Sequence, residues 1–258
     1  MTVRVKKHLP GGSIILDRPG KKNALTRRMI DELQQAFSDL HQEKKVRAVI
    51  LAGAGDAFSA GLDLAEIHEA MAEPDAQSKW YDDALAYRDL LETMLRFPKP
   101  ILAAVSGPAL GAGASLVLAC DIVVAAHDAR FGLPEPRRGI VAGLAAPLLT
   151  FRVGGGWAAN LLLSSRTLDA VEAHRIGLFH ELVAPAIVWA RAQQLVEEIS
   201  QAAPESLQLT RRLLYETIAE HLGTSLSAGA AASATARTTE AAAEGLAAFV
   251  EKRPANWP

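Results

Sequence analysis

The chain has 258 residues, half of them hydrophobic, with a formal charge of −2 and a single cysteine. Such a chain can bury a large core, as one domain or two. Its scattered positive residues leave no nucleic-acid footprint or polybasic anchor, its lone Cys120 can form no intrachain disulfide, and no apolar run reaches the roughly 18 residues of a membrane span.

Met1–Leu9 is polar and basic and lacks the apolar stretch of a signal peptide. A cytoplasmic protein without nucleic-acid or membrane partners is expected. Ser13–Leu16 reads as a strand, rich in β-branched and aliphatic residues. Thr26 then caps a helix whose apolar positions Met29, Ile30, Leu33, Phe37 and Leu40 fall on one face. Val46–Ala52 is the next strand. Glu69–Lys79 contains Pro74 and mixed polar residues and is expected to be a mobile loop. A helix follows from Gln77 to about Arg96, ended by Pro98. Ile101–Val105 and Ile122–Ala125 are strands, and Gly139–Ala146 opens a further helix.

From about residue 195 the pattern is helical alone. Pro204 suits a first helical turn, followed by Leu207, Leu209, Leu213, Leu214 and Ile218. Ser225–Phe249 is very rich in alanine, the strongest helix former, and Leu246, Phe249 and Val250 give it an apolar stripe. Strands alternating with helices, then helices alone, predict an α/β core over residues 1–195 and an all-helical region over 196–258.

Two segments carry chemistry. Ala57-Phe58-Ser59-Ala60-Gly61-Leu62-Asp63-Leu64 and Ser106-Gly107-Pro108-Ala109-Leu110-Gly111-Ala112-Gly113 are both small-residue turns placed between a strand and a helix. The first turn of a helix leaves its backbone N–H groups unpaired. Two such donors aimed at one oxygen form an oxyanion hole. Taken singly, each is an ordinary strand-to-helix turn.

Together with their surroundings they resemble the crotonase superfamily, the enoyl-CoA hydratases and isomerases. The resemblance rests on Leu16-Asp17-Arg18-Pro19, Asn23-Ala24-Leu25, the two turns, Lys99-Pro100, Ala119-Cys120-Asp121-Ile122, Phe131-Gly132-Leu133-Pro134-Glu135 and Phe249-Val250-Glu251-Lys252-Arg253. It implies a β-β-α spiral, a C-terminal helical region that assembles trimers or hexamers, and an acyl-CoA thioester as substrate, with no separate cofactor and no metal.

The resemblance also assigns roles. The backbone N–H groups of Leu62 and Ala112 become the oxyanion donors. Glu135 becomes the catalytic carboxylate, and burial in a partly apolar pocket would raise its pKa toward a useful range. Ala60, Leu62, Asp63, Leu64, Ala65 and Ala112 fall where backbone meets CoA, and Lys252 where a neighbouring subunit's lysine reaches CoA phosphate. Asp63 also suits a helix start. Asp121 and Cys120 read as buried structural residues, and His174 and His180 match no catalytic position.

Ser115 departs from the hydratase pattern, which has a second glutamate there. A serine does not ionise near neutrality; its hydroxyl either orients a water or simply packs. One carboxylate fits double-bond isomerisation most simply. Hydration with a water held by Glu135 and Ser115 is the alternative, followed by decarboxylation, thioester hydrolysis and a non-catalytic CoA-binding scaffold.

Overall fold

The computed structural model describes residues 2–258. Strand β1 (Val3–His8) pairs antiparallel with β2 (Gly11–Leu16). Helix α1 (Arg27–Gln42) follows, capped by the Thr26 hydroxyl, which accepts the Met29 N–H. Its buried face is Met29, Ile30, Leu33, Ala36, Phe37 and Leu40, as the periodicity requires. Strand β3 (Ala48–Gly53) leads to α2 (Leu64–Ala70) and α3 (Ala76–Arg96).

The next turns are β4 (Ile101–Val105), β5 (Pro108–Leu110) and α4 (Ala112–Ala119), then β6 (Ile122–Ala126) and β7 (Arg130–Gly132). A short 3-10 helix, Glu135–Arg138, precedes α5 (Ala145–Ser164). After β8 (Thr167–Asp169), α6 (Ala170–Arg175) and β9 (Glu181–Val183), the chain is helical: α7 (Val188–Ser200), α8 (Pro204–Arg212), a π-helical turn over Leu213–Ile218, α9 (Leu222–Ala236) and α10 (Glu240–Val250).

Two sheets result. The six-stranded sheet runs β1-β2-β3-β4-β6-β9, parallel from β2 onward, and the three-stranded sheet runs β5-β7-β8. The passes through β4 and β6 each add a short strand, β5 and β7, to the second sheet, and the β3 pass meets that sheet through a single bridge at Ser59. This is the expected spiral. The parallel strands β3 and β4 are buried along nearly their whole length, which explains their continuous apolar sequence.

Several sequence expectations need correction. Strand β1 is absent from those expectations: it forms an edge of the sheet, with Val3 buried and Thr2 and Val3 donating their N–H groups to Glu32. The segment Glu69–Lys79, expected to be a mobile loop, has only a short connection between two helices. It is helical except for Met71–Asp75, and Lys79 pairs with Glu73 and Asp75 across that short connection. Ser225–Phe249 is two helices, broken at Arg237 and restarted by Thr239, whose hydroxyl accepts the Ala242 N–H. In Gly139–Ala146 only the last two residues are helical.

Polar side chains tie the layers together. Lys99 donates to the carbonyls of Leu40, His41 and Glu43 and closes the C-terminal end of α1. Asp121 accepts from the Ile101 N–H at 2.7 Å, from Arg211 at 2.9 Å and from the Tyr215 hydroxyl at 3.0 Å. Arg152 joins the same network through Tyr215 and the Leu118 carbonyl. His180 accepts the Val123 N–H and His174 contacts the Phe179 carbonyl, so both are structural. No helix among the described residues is long and apolar enough to cross a membrane.

Removing one member of a buried ion pair strands the other. Asp121→Ala leaves the Arg211 side chain, 6% exposed, without its carboxylate. A loss of about 3–5 kcal/mol in urea unfolding is expected; a loss under ~1 kcal/mol would show that the network contributes little.

Candidate active site

Three successive passes of the spiral deliver backbone to one place. Ser59 bridges Ala109, and Ala109 pairs with Phe131. Ser59 O accepts the Leu110 N–H at 2.9 Å, and Gly132 O accepts the Gly111 N–H at 2.9 Å. Two residues past Ser59 and Ala109 lie Gly61 and Gly111, with φ of +100° and +53°. Only glycine adopts such angles without strain. A Cβ on Gly61 would stand 3.0 Å from Leu110 O and 3.4 Å from Ala112 N. The two turns therefore touch.

Leu62 and Ala112 follow these glycines. Among the described residues neither amide donates a hydrogen bond: Ala112 opens α4, and Leu62 lies between Gly61 and Asp63, whose O and N–H are the groups that bond Leu25. Two unpaired donors thus sit side by side at one rim.

The first turn is held by residues that sequence reasoning counted only as motif. The Asn23 side chain accepts the Arg18 N–H and donates to the carbonyls of Ala54 and Ala57, all at 2.9 Å. The Ser59 hydroxyl donates to Asn23 O at 2.8 Å and accepts the Gly61 N–H at 3.2 Å. Leu25 N–H bonds Gly61 O at 2.7 Å, and Asp63 N–H bonds Leu25 O at 2.8 Å. Asn23 and Ser59 are fully buried. Asp63 caps α2 and pairs with Arg18 at 2.5 Å. Gly113 allows the second turn to approach, since a Cβ there would stand 2.6 Å from Ser59 O.

Glu135 opens the 3-10 helix after β7. Its carboxylate lies against Gly111: a Cβ there would be 3.2 Å from Oε1. Oε2 is shut from solvent and has no hydrogen-bond partner. Burial, only partly opposed by its own backbone N–H, pushes the carboxyl up to about 7. Ser115 is buried in α4, and its hydroxyl makes a long 3.4 Å contact to Gly111 O. Tyr87, on α3, donates its hydroxyl to Ala112 O and so braces the start of α4.

All of these groups border one cavity of about 360 Å³. Leu62, Asp63, Ala112, Ser115 and Glu135 line it, together with Tyr87, the segment Ile140–Ala145, and Ser233 and Arg237 from the C-terminal helices. Ala60, Leu64, Ala65 and Lys252 do not line it. Lys252 stands exposed beyond α10. Sequence reasoning missed Tyr87 and Arg237. Tyr87 was one more apolar position on a helix face, and Arg237 a lone cation in an alanine-rich stretch.

The sequence profile of the enoyl-CoA hydratase/isomerase family matches residues 12–258. A Thermus thermophilus relative, provisionally named an enoyl-CoA hydratase, is 40% identical over 93% of this chain and 94% of its own. The short-chain-enoyl-CoA hydratase of Clostridium acetobutylicum is 32% identical over 93% of this chain and 91% of its own. The crystal structure of an enoyl-CoA hydratase/isomerase from Pseudoalteromonas atlantica T6c superposes with a TM-score of 0.87 at 30% identity, covering 100% of both chains.

The raised pKa of Glu135 has a consequence for stability. Its ordinary value is 4.5 and its folded value about 7, so the folded state holds the proton more tightly. That contribution is complete below the ordinary value and is lost as pH rises through about 7. Glu135→Gln, always neutral, should therefore be more stable than the parent above neutrality, by up to about 3 kcal/mol. The gap should close toward pH 4.5. Urea midpoints at pH 5 and pH 8, values chosen on either side of the shift, measure it; a pH-independent gap contradicts it.

Proposed function

The chain belongs to the enoyl-CoA hydratase/isomerase family, and on that premise we propose that it forms enolates of acyl-CoA thioesters with Glu135 as acid and base. The observation that carries this reading is the buried carboxylate of Glu135, its Oε2 without a partner, lining the cavity bordered by the free amides of Leu62 and Ala112. With the thioester oxygen on those two N–H groups, charge that develops there meets fixed donors. Glu135 takes a proton from the carbon skeleton: the C–H bond breaks, its electron pair enters the enolate, and the proton joins the carboxylate. Return of that proton to a different carbon moves the double bond. A carboxyl near 7 is available in both forms at neutral pH.

Isomerisation needs no more than this. Hydration is the second reading, favoured by the hydratase names of the relatives and by the Ser115 hydroxyl at the cavity. There, water adds across the double bond, its oxygen to the β-carbon and a proton to the α-carbon, with Glu135 and Ser115 placing it. The turn into α2, with Ala60, Leu62, Asp63, Leu64 and Ala65, and also Ala112, is proposed to meet CoA through backbone, and Lys252 to reach CoA phosphate on a neighbouring subunit.

Incubation with 2-enoyl-CoA and 3-enoyl-CoA separately, following hydration and double-bond migration, discriminates the two chemistries. As an isomerase the protein should migrate the 3-enoyl double bond, and Ser115→Ala should be nearly neutral. Rapid hydration with no migration would overturn that preference. In either chemistry Glu135→Gln should lower kcat by about 10²–10⁴-fold. The parent's kcat/KM should rise with pH through about 7, because the base must be ionised, and the variant should lack that limb.

We further propose that residues 196–258 assemble trimers or hexamers. Leu209, Leu213, Leu214 and Ile218 are exposed on a contiguous stretch of the C-terminal helices, an apolar surface that association would cover. Light scattering at micromolar concentration should give a trimer or a multiple of it, and a monodisperse monomer would refute this.

A further inference from the structure

Arg237 sits at the break between α9 and α10 and is 5% exposed. Among the described residues its guanidinium makes no ion pair and no side-chain hydrogen bond, and Nη1 is shut from solvent without a partner. It nevertheless lines the cavity that holds Glu135 and Ser115. Burial pushes the guanidinium below its ordinary value, and Asp83 opposes this only at a distance. The Asp83 carboxylate is itself engaged by Arg27.

An arginine remains charged throughout the accessible pH range. An uncompensated buried charge is costly, and such charges are retained with a partner. No such partner is found among the described residues, and the residue lines the cavity. The cavity is also lined by carboxylates, most of them engaged elsewhere: Asp63 with Arg18, Glu73 with Lys79, Asp83 with Arg27, and Glu66 with the Arg27 N–H. Asp83 and Tyr87 lie four residues apart, on one face of α3, about one turn or ~5.4 Å along the axis. The Tyr87 hydroxyl donates to the carbonyl of Ala112, whose N–H is one of the two free amides. Arg237 and the free amides of Leu62 and Ala112 border one cavity of about 360 Å³, so a group bound at Arg237 shares that space with a thioester on the amides.

Resting on the acyl-CoA reading above, we propose that Arg237 selects substrates whose acyl chain ends in a carboxylate, which its planar fork binds as a bidentate pair inside the cavity. Carboxylate geometry matches that fork. The deep burial of Arg237 separates this role from phosphate binding at an exposed rim.

The test compares 2-enoyl-CoA thioesters of roughly five to eight carbons that end in a carboxylate with neutral, methyl-ended thioesters of equal length. The carboxylated member should be preferred in kcat/KM by about 10–100-fold. Arg237→Gln should erase that preference while leaving the neutral substrates nearly unchanged, and Arg237→Lys should restore part of it. Preference of the parent for neutral thioesters, or an equal loss for both substrates in Arg237→Gln, would overturn the proposal.

Calorimetry with glutaryl-CoA, pentanoyl-CoA and free CoA needs no turnover. Tighter binding of glutaryl-CoA by the parent, lost in Arg237→Gln, supports the proposal even if no substrate reacts, in which case only the catalytic reading fails. A loss of affinity for free CoA as large as that for glutaryl-CoA would assign Arg237 to a CoA phosphate instead. The preference of the unmodified protein decides the matter should the variants not fold.

Discussion

The lateral register of Ser59, Ala109 and Phe131 is the constraint on which the site depends. Each residue belongs to a different pass of the spiral, and main-chain hydrogen bonds lock the three side by side. Everything of chemical interest follows at a fixed short offset: Leu62 three residues on from Ser59, Ala112 three from Ala109, and Glu135 four from Phe131. Placement to within tenths of an ångström is thus delegated to the ladder rather than to flexible side chains. This explains the burial of polar groups around the first turn. Asn23 and Ser59 satisfy backbone atoms of a segment too short to be a strand itself, and a fully satisfied buried network holds one geometry.

The second theme is unequal satisfaction. Asp121, Asn23 and Lys99 have every visible reason to stay where they are, being bonded several times over. Glu135 Oε2 and Arg237 Nη1 are buried and have none. Buried polar atoms without partners are rare in folded proteins. Here two of opposite character border the same cavity, one able to exchange a proton and one of fixed charge. A carboxyl raised by burial and a cation depressed by it are costs that the remaining fold must offset.

Much of this was legible in the sequence. The α1 face followed from apolar spacing, the buried strands from Val, Ile and Leu runs, and both turns from small residues placed between a strand and a helix. Elements of three residues were not. Strands β5, β7 and β8 are too short for periodicity to register, yet they set the ladder. The α9–α10 break was hidden because alanine favours helix throughout and only Thr239 marks a restart. The role of Asn23-Ala24-Leu25 could be matched but not explained until long-range hydrogen bonds to Gly61 and Ala57 were visible. Arg237 was overlooked because a charge's burial is a tertiary property.

The C-terminal helices are fastened to the cavity wall by backbone contact: a Cβ on Gly143 would fall 2.2 Å from Gly229 O, and one on Gly139 2.0 Å from Ala241 O. These helices also supply Ser233 and Arg237. An occupant of the cavity would touch the spiral and the tail at once. Occupancy and docking of the tail are then thermodynamically linked, each favouring the other by mass action. Any event that tightens or loosens the tail, including association of its outer face, would be felt as a change in ligand affinity without altering a residue that meets the ligand.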